Sequence, residues 1–292
     1  MQAVSERHLS EIIRDVVSLA KPRITLMVLI TTAGGLSLAG GIAPLKAVLT
    51  LLGTALVVGS ANTLNCWLER DIDRYMARTR GRPLPAGRLD PTIALIFGGV
   101  LACISIPMLT LGVNALTGAL AAIALVSYVA VYTPMKQWSP AALLVGSVPG
   151  ALPPLIGWTA VTGRLDWAGI ALFGVLFFWQ LPHFIAIAIF RQDEYTRAGI
   201  KVLPAVRGLR VAKVHALVHS VLLLVVSLAL VPLQVAGSLY LLVAGALGLA
   251  MVVLAIRGLH AGAGAKWARQ LFAASLVYLP VLFAALALDA LV

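Results

Sequence analysis

The chain has 292 residues, 61% of them hydrophobic and only 11% charged. A soluble domain carries about a quarter charged residues and under half apolar ones, so this composition argues against a soluble fold. The charges are lopsided, 22 Lys+Arg against 11 Asp+Glu. Too little polar surface remains for a soluble nucleic-acid binder, and a polytopic membrane protein with its basic residues on one side accounts for both facts.

Residues 1–23 read as a cytoplasmic amphipathic arm. Leu9, Ile12, Ile13, Val16, Val17 and Ala20 recur at helical spacing, with Ser10, Glu11, Arg14, Asp15 and Ser18 opposite. Such an arm can lie on the membrane surface or pack on the rest of the protein. Residues 24–292 read as a single transmembrane domain. Its nine apolar segments run roughly over 24–43, 45–68, 91–111, 114–133, 140–160, 167–190, 211–232, 235–256 and 268–291. A backbone in hydrocarbon must satisfy its own hydrogen bonds, and these runs exceed barrel-strand length, so the expected class is all-α.

The basic residues orient the nine spans. Arg7, Arg14, Lys21 and Arg23 lie in the arm, and six arginines between Arg70 and Arg88 follow span 2. Lys136 follows span 4, six basic residues from Arg191 to Lys213 follow span 6, and Arg257, Lys266 and Arg269 follow span 8. The opposite side holds Lys46 and Arg164 alone. Positive loops stay inside, which puts the N-terminus in the cytoplasm and, after an odd number of spans, the C-terminus outside. The two cysteines, Cys66 and Cys103, sit in apolar runs without metal-ligand spacing.

Span 5 carries Pro149, Gly150, Pro153, Pro154 and Gly157, and span 6 carries Pro182. Such breakers either kink helices around a cavity or simply serve helix packing.

The eleven acidic residues are few enough for their positions to matter. Glu69, Asp71 and Asp73 end span 2; Asp193 and Glu194 end span 6. At 100° per residue, Asn62, Asn65, Glu69 and Asp73 fall within an arc of about 80°, and Asp71 points away. Two amides and two carboxylates thus form a polar stripe entering the membrane, where polar groups are costly. Hard oxygen ligands suit Mg²⁺, which takes one or two protein carboxylates, waters and phosphate oxygens. Surrounding Arg and Lys can grip the same phosphates. A juxtamembrane set of salt bridges is the plainer alternative.

Gln180 and His183 lie in span 6 beside Trp179 and Pro182, with Glu194 on the His183 face. His215 and His219 are four apart at the start of span 7, but no third ligand supports a zinc site. A weak repeat links Asp73-Arg74-Tyr75 before Leu84-Pro85-Ala86 to Asp193-Glu194-Tyr195 before Leu203-Pro204-Ala205. It fits two half-bundles whose acidic clusters face one another.

These residues carry a family resemblance over essentially the whole chain. Asn65-Cys-Trp-Leu-Glu69-Arg-Asp71-Ile-Asp73, with Arg78-Thr-Arg-Gly-Arg82-Pro-Leu-Pro-Ala-Gly87, resembles the first signature of the intramembrane (UbiA-type) prenyltransferases. Lys21-Pro22-Arg23, Tyr132-Thr-Pro-Met-Lys136, Trp179-Gln-Leu-Pro182-His183-Phe184 and Asp193-Glu194-Tyr195 add to it, and the last two point to the haem-modifying branch. Asp193 and Glu194 are adjacent where the wider family usually has two aspartates four apart, and Glu69 stands where many relatives have Asp.

The resemblance implies nine helices around a central chamber in a bacterial inner membrane. It implies farnesyl diphosphate as donor, protohaem IX (haem b) as acceptor, haem O as product, Mg²⁺ as cofactor, and a haem A synthase or oxidase assembly factor as partner. The implied metal ligands are Asn65, Glu69 and Asp73, with Asp193 or Glu194 opposite. Arg78, Arg82, Lys136, Arg197 and Lys201 become diphosphate clamps, Asn62 a support, and His183 a contact for haem or for a proton step. Two other readings fit less of the pattern: a prenyltransferase for an aromatic quinone precursor, and an anion transporter built on an inverted repeat.

Overall fold

The computed structural model describes residues 9–289. The first eight residues of the expected arm and the last three of the expected domain lie outside the described residues. Among the described residues there is no strand.

The arm forms α1 (Leu9–Leu19) and bends by 46° into α2 (Pro22–Leu38). Then come α3 (Pro44–Leu68), α4 (Pro91–Gly112), α5 (Ala115–Met135), α6 (Ala142–Thr162) and α7 (Trp167–Phe190). Two short helices, α8 (Gln192–Arg197) and α9 (Leu203–Arg207), lead into α10 (Leu209–Ala229), α11 (Ser238–Gly258) and α12 (Ala265–Asp289). Eight of these are long and apolar enough to cross a membrane, and the bent α1–α2 pair brings the number to nine if it is counted as one span. The chain is a multi-pass membrane protein.

The segregation of residues is that of a protein in lipid. The outer face of α11 exposes Leu242, Leu249, Val253 and Ile256. Inside, small and hydroxylated residues let helices approach closely. Buried Thr32, Thr50, Ser147 and Ser220 satisfy their hydroxyls on the carbonyl one turn back, at 2.7–2.9 Å. The tightest seam joins α2 to α6. A Cβ added at Gly35 would strike the carbonyl of Pro154, and one at Gly157 the carbonyl of Thr32. Only glycine permits this backbone-to-backbone approach.

Capping fixes the ends. Asn114 accepts from Thr117 N at 2.9 Å, and Asp166 from Gly169 N at 3.0 Å. The Asp289 carboxylate accepts from Gly237 N and Tyr240 N, so the end of α12 caps the start of α11. Asp166 and Asp289 are therefore helix caps.

The arm packs on the bundle. Leu19 is buried with Cys66, Leu84, Leu89 and Ala94, against which Ile12, Val16 and Trp67 lean. Asp15 is gripped by Arg88 at 3.2 and 3.3 Å. Leu9, Ile13 and Val17 form an exposed second stripe, so the arm has two apolar faces rather than one.

The Gly157 contact gives a test. Gly157→Ala is expected to cost roughly 1–3 kcal/mol by overpacking and to lower the thermal unfolding midpoint in detergent. Gly245→Ala, which meets nothing within 4 Å, should leave that midpoint in place.

Candidate functional site

The structure gathers the polar stripe at one end of a cavity of about 530 Å³. That volume is ordinary for a small-molecule site, roughly 300–1,000 Å³. The walls come from α2, α3, α5, α6 and α7; α4 packs behind α3, and α10 and α12 pack on α7. The deeper lining is apolar, with Val28, Val57, Ala124, Leu143 and Phe184.

Asn62, Asn65, Glu69 and Asp73 all line this cavity and are all buried, at 4, 2, 9 and 1% exposure. They do not share one straight helix. α3 ends at Leu68, Glu69 is its C-cap, and Asp73 is presented by a 3-10 turn over Ile72–Tyr75. The 3-10 turn keeps Asp73 on the cavity side while Asp71 turns outward to Arg70 and Arg74.

The polar contacts form one network. Asn65 Nδ2 donates to Glu69 Oε2 at 2.9 Å and to Thr133 Oγ1 at 3.1 Å. Lys136 Nζ meets Glu69 Oε1 at 2.6 Å and lies 4.4 Å from the centre of the Tyr132 ring. Burial opposes the Lys136 charge, but Tyr132 and Glu69 beside it outweigh burial and hold its pKa above the ordinary lysine value. Arg82 donates to Asp73 Oδ2 at 2.6 Å. Burial pushes the phenol of Tyr195, also in the wall, upward.

Two local distortions place these groups. Ser127–Tyr132 is a π-helical turn inside α5, a feature frequent at functional sites. It leaves Tyr128 and Tyr132 in the cavity wall, rings 5.3 Å apart, ahead of Lys136. Lys21 sits between α1 and α2 at φ 50°, a left-handed conformation that costs a non-glycine residue energy. Its Nζ reaches Asn65 Oδ1 at 3.3 Å, and Asn62 Nδ2 holds the neighbouring Ala20 carbonyl at 3.3 Å. Asn62 thus anchors the turn that aims Lys21.

Arg78, Arg82, Lys136 and Lys201 line the cavity as the sequence led one to expect. The other expected residues stand elsewhere. Asp193, Glu194 and Arg197 line a separate recess with Tyr75, Phe190 and Arg269. Glu194 there pairs with Arg191 at 2.8 Å. From this part of the chain the cavity wall takes Tyr195 of α8 and Ile200, Lys201 and Leu203 of the loop after it, while Asp193 and Glu194 of the same helix line the recess beside Tyr75. His183 faces α12, with Nδ1 2.8 Å from Ser275 Oγ and its ring against Phe272 and Trp179. Gln180, one turn earlier, is the polar residue of α7 in the wall. His215 and His219 stay on α10, where Nδ1 of His219 bonds the His215 carbonyl.

Lys21, Thr133 and Tyr195 were quoted within sequence motifs but given no site role of their own, and Tyr128 was not singled out from sequence. The four-residue spacing of Tyr128, Tyr132 and Lys136 was a visible signal; the strained turn at Lys21 was not.

Among the described residues no three His, Cys, Asp or Glu side chains come together as a metal cage. The residues fit a hard cation completed by water and substrate. Glu69 and Asp73 supply two carboxylates, Asn65 an amide oxygen, and Asp73 Oδ1 is buried with no hydrogen-bond partner.

The model of the UbiA prenyltransferase family matches residues 28–277. The chain belongs to this family. Among its relatives, the protoheme IX farnesyltransferase of Anaeromyxobacter sp. (strain Fw109-5) is 54% identical over 278 residues, covering 95% of this chain and 94% of that protein. That of Myxococcus xanthus is 51% identical over 276 residues, with 94% of each covered. Among solved structures, digeranylgeranylglyceryl phosphate synthase superposes with a TM-score of 0.83 at 18% identity, over 96% of this chain and 99% of that one. A UbiA homologue from Archaeoglobus fulgidus bound to DMAPP and Mg²⁺ gives 0.66 at 18% identity, over 94% and 99%. Identities this low establish the fold alone.

The Lys136–Glu69 pair generates a stability test. Lys136→Met strands a buried carboxylate and should cost roughly 3–5 kcal/mol, read from thermal unfolding. Adding Glu69→Gln to Lys136→Met should restore most of that loss.

Proposed function

We propose that this chain transfers the farnesyl group of farnesyl diphosphate to a vinyl group of protohaem IX, giving haem O and diphosphate. The observation that carries the reading is the composition of one cavity. Five cations (Lys21, Arg78, Arg82, Lys136 and Lys201) and two carboxylates cap an apolar chamber. That net positive end suits a diphosphate, and the chamber suits an isoprenoid tail. Relatives more than half identical over nearly the whole chain carry the name protoheme IX farnesyltransferase.

In this reading the basic end faces the cytoplasm of a bacterium and the helices span its inner membrane. Asn65, Glu69 and Asp73 would hold Mg²⁺. The ion would neutralise charge on the leaving diphosphate. Lys21, Arg78, Arg82 and Lys201 bind the diphosphate oxygens, and Lys136 keeps the Glu69 carboxylate in place.

Breaking the C1–O bond sends its electron pair with the diphosphate and leaves an allylic cation. The faces of Tyr128 and Tyr132 suit such a cation, and the apolar wall excludes water from it. The vinyl π electrons form the new C–C bond to farnesyl C1. Water then adds to the haem-side carbon and releases a proton, completing the hydroxyethylfarnesyl group.

Purified protein supplied with haem b, farnesyl diphosphate and Mg²⁺ should form haem O, detected by mass, and EDTA should stop it. A folded preparation that binds no haem and forms no haem O would overturn the assignment and favour an aromatic acid acceptor. Glu69→Gln and Asp73→Asn should each lower kcat by about 10²–10³-fold, the scale of losing an electrostatic stabiliser. Near-full activity in either would remove the metal assignment.

A further inference from the structure

A second recess of about 640 Å³ lies beneath α1, between the arm and the 76–88 loop. It is strongly basic. Among the described residues Arg14, Lys21, Arg78, Arg82 and Arg88 line it, against one carboxylate, Asp15. Asp15 is already engaged by Arg88 through both oxygens, so the recess keeps an excess of positive charge. Its ligand chemistry is that of a small phosphate-bearing anion.

Its position gives it a role. Lys21, Arg78 and Arg82 line both this recess and the central cavity. The partition between the two spaces is therefore made of cations, and an anion crossing it would keep contact with positive charge throughout. Intact farnesyl diphosphate cannot follow, because its tail is held in the apolar chamber. Diphosphate released by cleavage can. On the cavity side the loop through Ile200, Lys201 and Leu203 forms the rim. On the recess side Arg14 is exposed.

We propose that the recess beneath α1 is a second anion site that receives diphosphate from the cavity, across Lys21, Arg78 and Arg82, and passes it to the aqueous side. This rests on the farnesyl-transfer reading for the identity of the anion. Arg14 is the residue to test, since it lies in the recess and outside the cavity.

Two measurements on the full chain in neutral-lipid nanodiscs decide it. Calorimetric titration with inorganic diphosphate and Mg²⁺ should show two sites. Arg14→Glu and Arg14→Gln should remove the weaker one, and Arg14→Lys should retain it. A single site in the parent protein overturns the proposal. So does a weaker site that is displaced by anionic phospholipid, which would assign the recess to a lipid headgroup. In rapid-quench turnover, Arg14→Glu should form the first equivalent of product at the parent rate and then slow about tenfold, as release becomes limiting. Equal slowing of the first and later turnovers would mark a structural effect and overturn the exit role. A parent protein that binds two diphosphates yet forms no haem O would instead count against the reaction, leaving the anion site standing.

Discussion

A carboxylate buried at a membrane boundary persists only if something charged and something polar are buried with it. Glu69 meets this requirement with Lys136 on one oxygen and Asn65 on the other, and much of the site follows from that pairing. Lys136 must come from the end of α5, which ties α5 to α3. Asn65 must be satisfied in turn, and Thr133 and Lys21 do so from α5 and from the arm. Helices far apart in sequence are thereby held in register by one carboxylate. Asp73 sets the second condition. One of its oxygens is taken by Arg82 and the other has no hydrogen-bond partner in its buried position.

The same end of the molecule shows why the arm belongs to the site. By sequence its basic residues read as a topology signal. Lys21 is different. It is forced into a left-handed turn, with its backbone neighbour held by Asn62 and its ammonium directed onto Asn65. Strain of this kind survives where surrounding contacts over-determine it. The Asp15–Arg88 contact and the packing of Leu19 provide them from the arm's inner face.

The helical class, the span pattern and the stripe from Asn62 to Asp73 were legible because each rests on local periodicity. An apolar run of twenty residues in lipid has one solution, and four polar residues at helical spacing share a face. The stripe survived even though α3 stops at Leu68, since a 3-10 turn roughly preserves the rotation. Where Asp193 and Glu194 point depends on how α8 and the loop after it dock, and that docking is tertiary: the Lys201 amide bonds the Lys136 carbonyl. His183 drew attention because Trp179, Gln180 and Pro182 cluster beside it and because the family resemblance implied a contact with haem. Its bond to Ser275, ninety-two residues away in sequence, is tertiary information that no spacing reveals. Tyr128 was passed over because in an ordinary helix it reads as one more apolar-face residue.

The π-helical turn in α5 has an evolutionary corollary. Such a turn carries one residue more than an α-turn, closing between Tyr128 O and Thr133 N. Loss of a single residue between 127 and 132 would let the helix close on ordinary i→i+4 bonds, and the segment beyond would keep nearly the orientation it had, because the π-turn spreads its extra residue over about the same rotation. What would change is the turn itself, which would lose one side chain and redistribute its neighbours around the wall. A one-codon deletion is thus a discrete reset of the aromatic lining that leaves the membrane crossing intact.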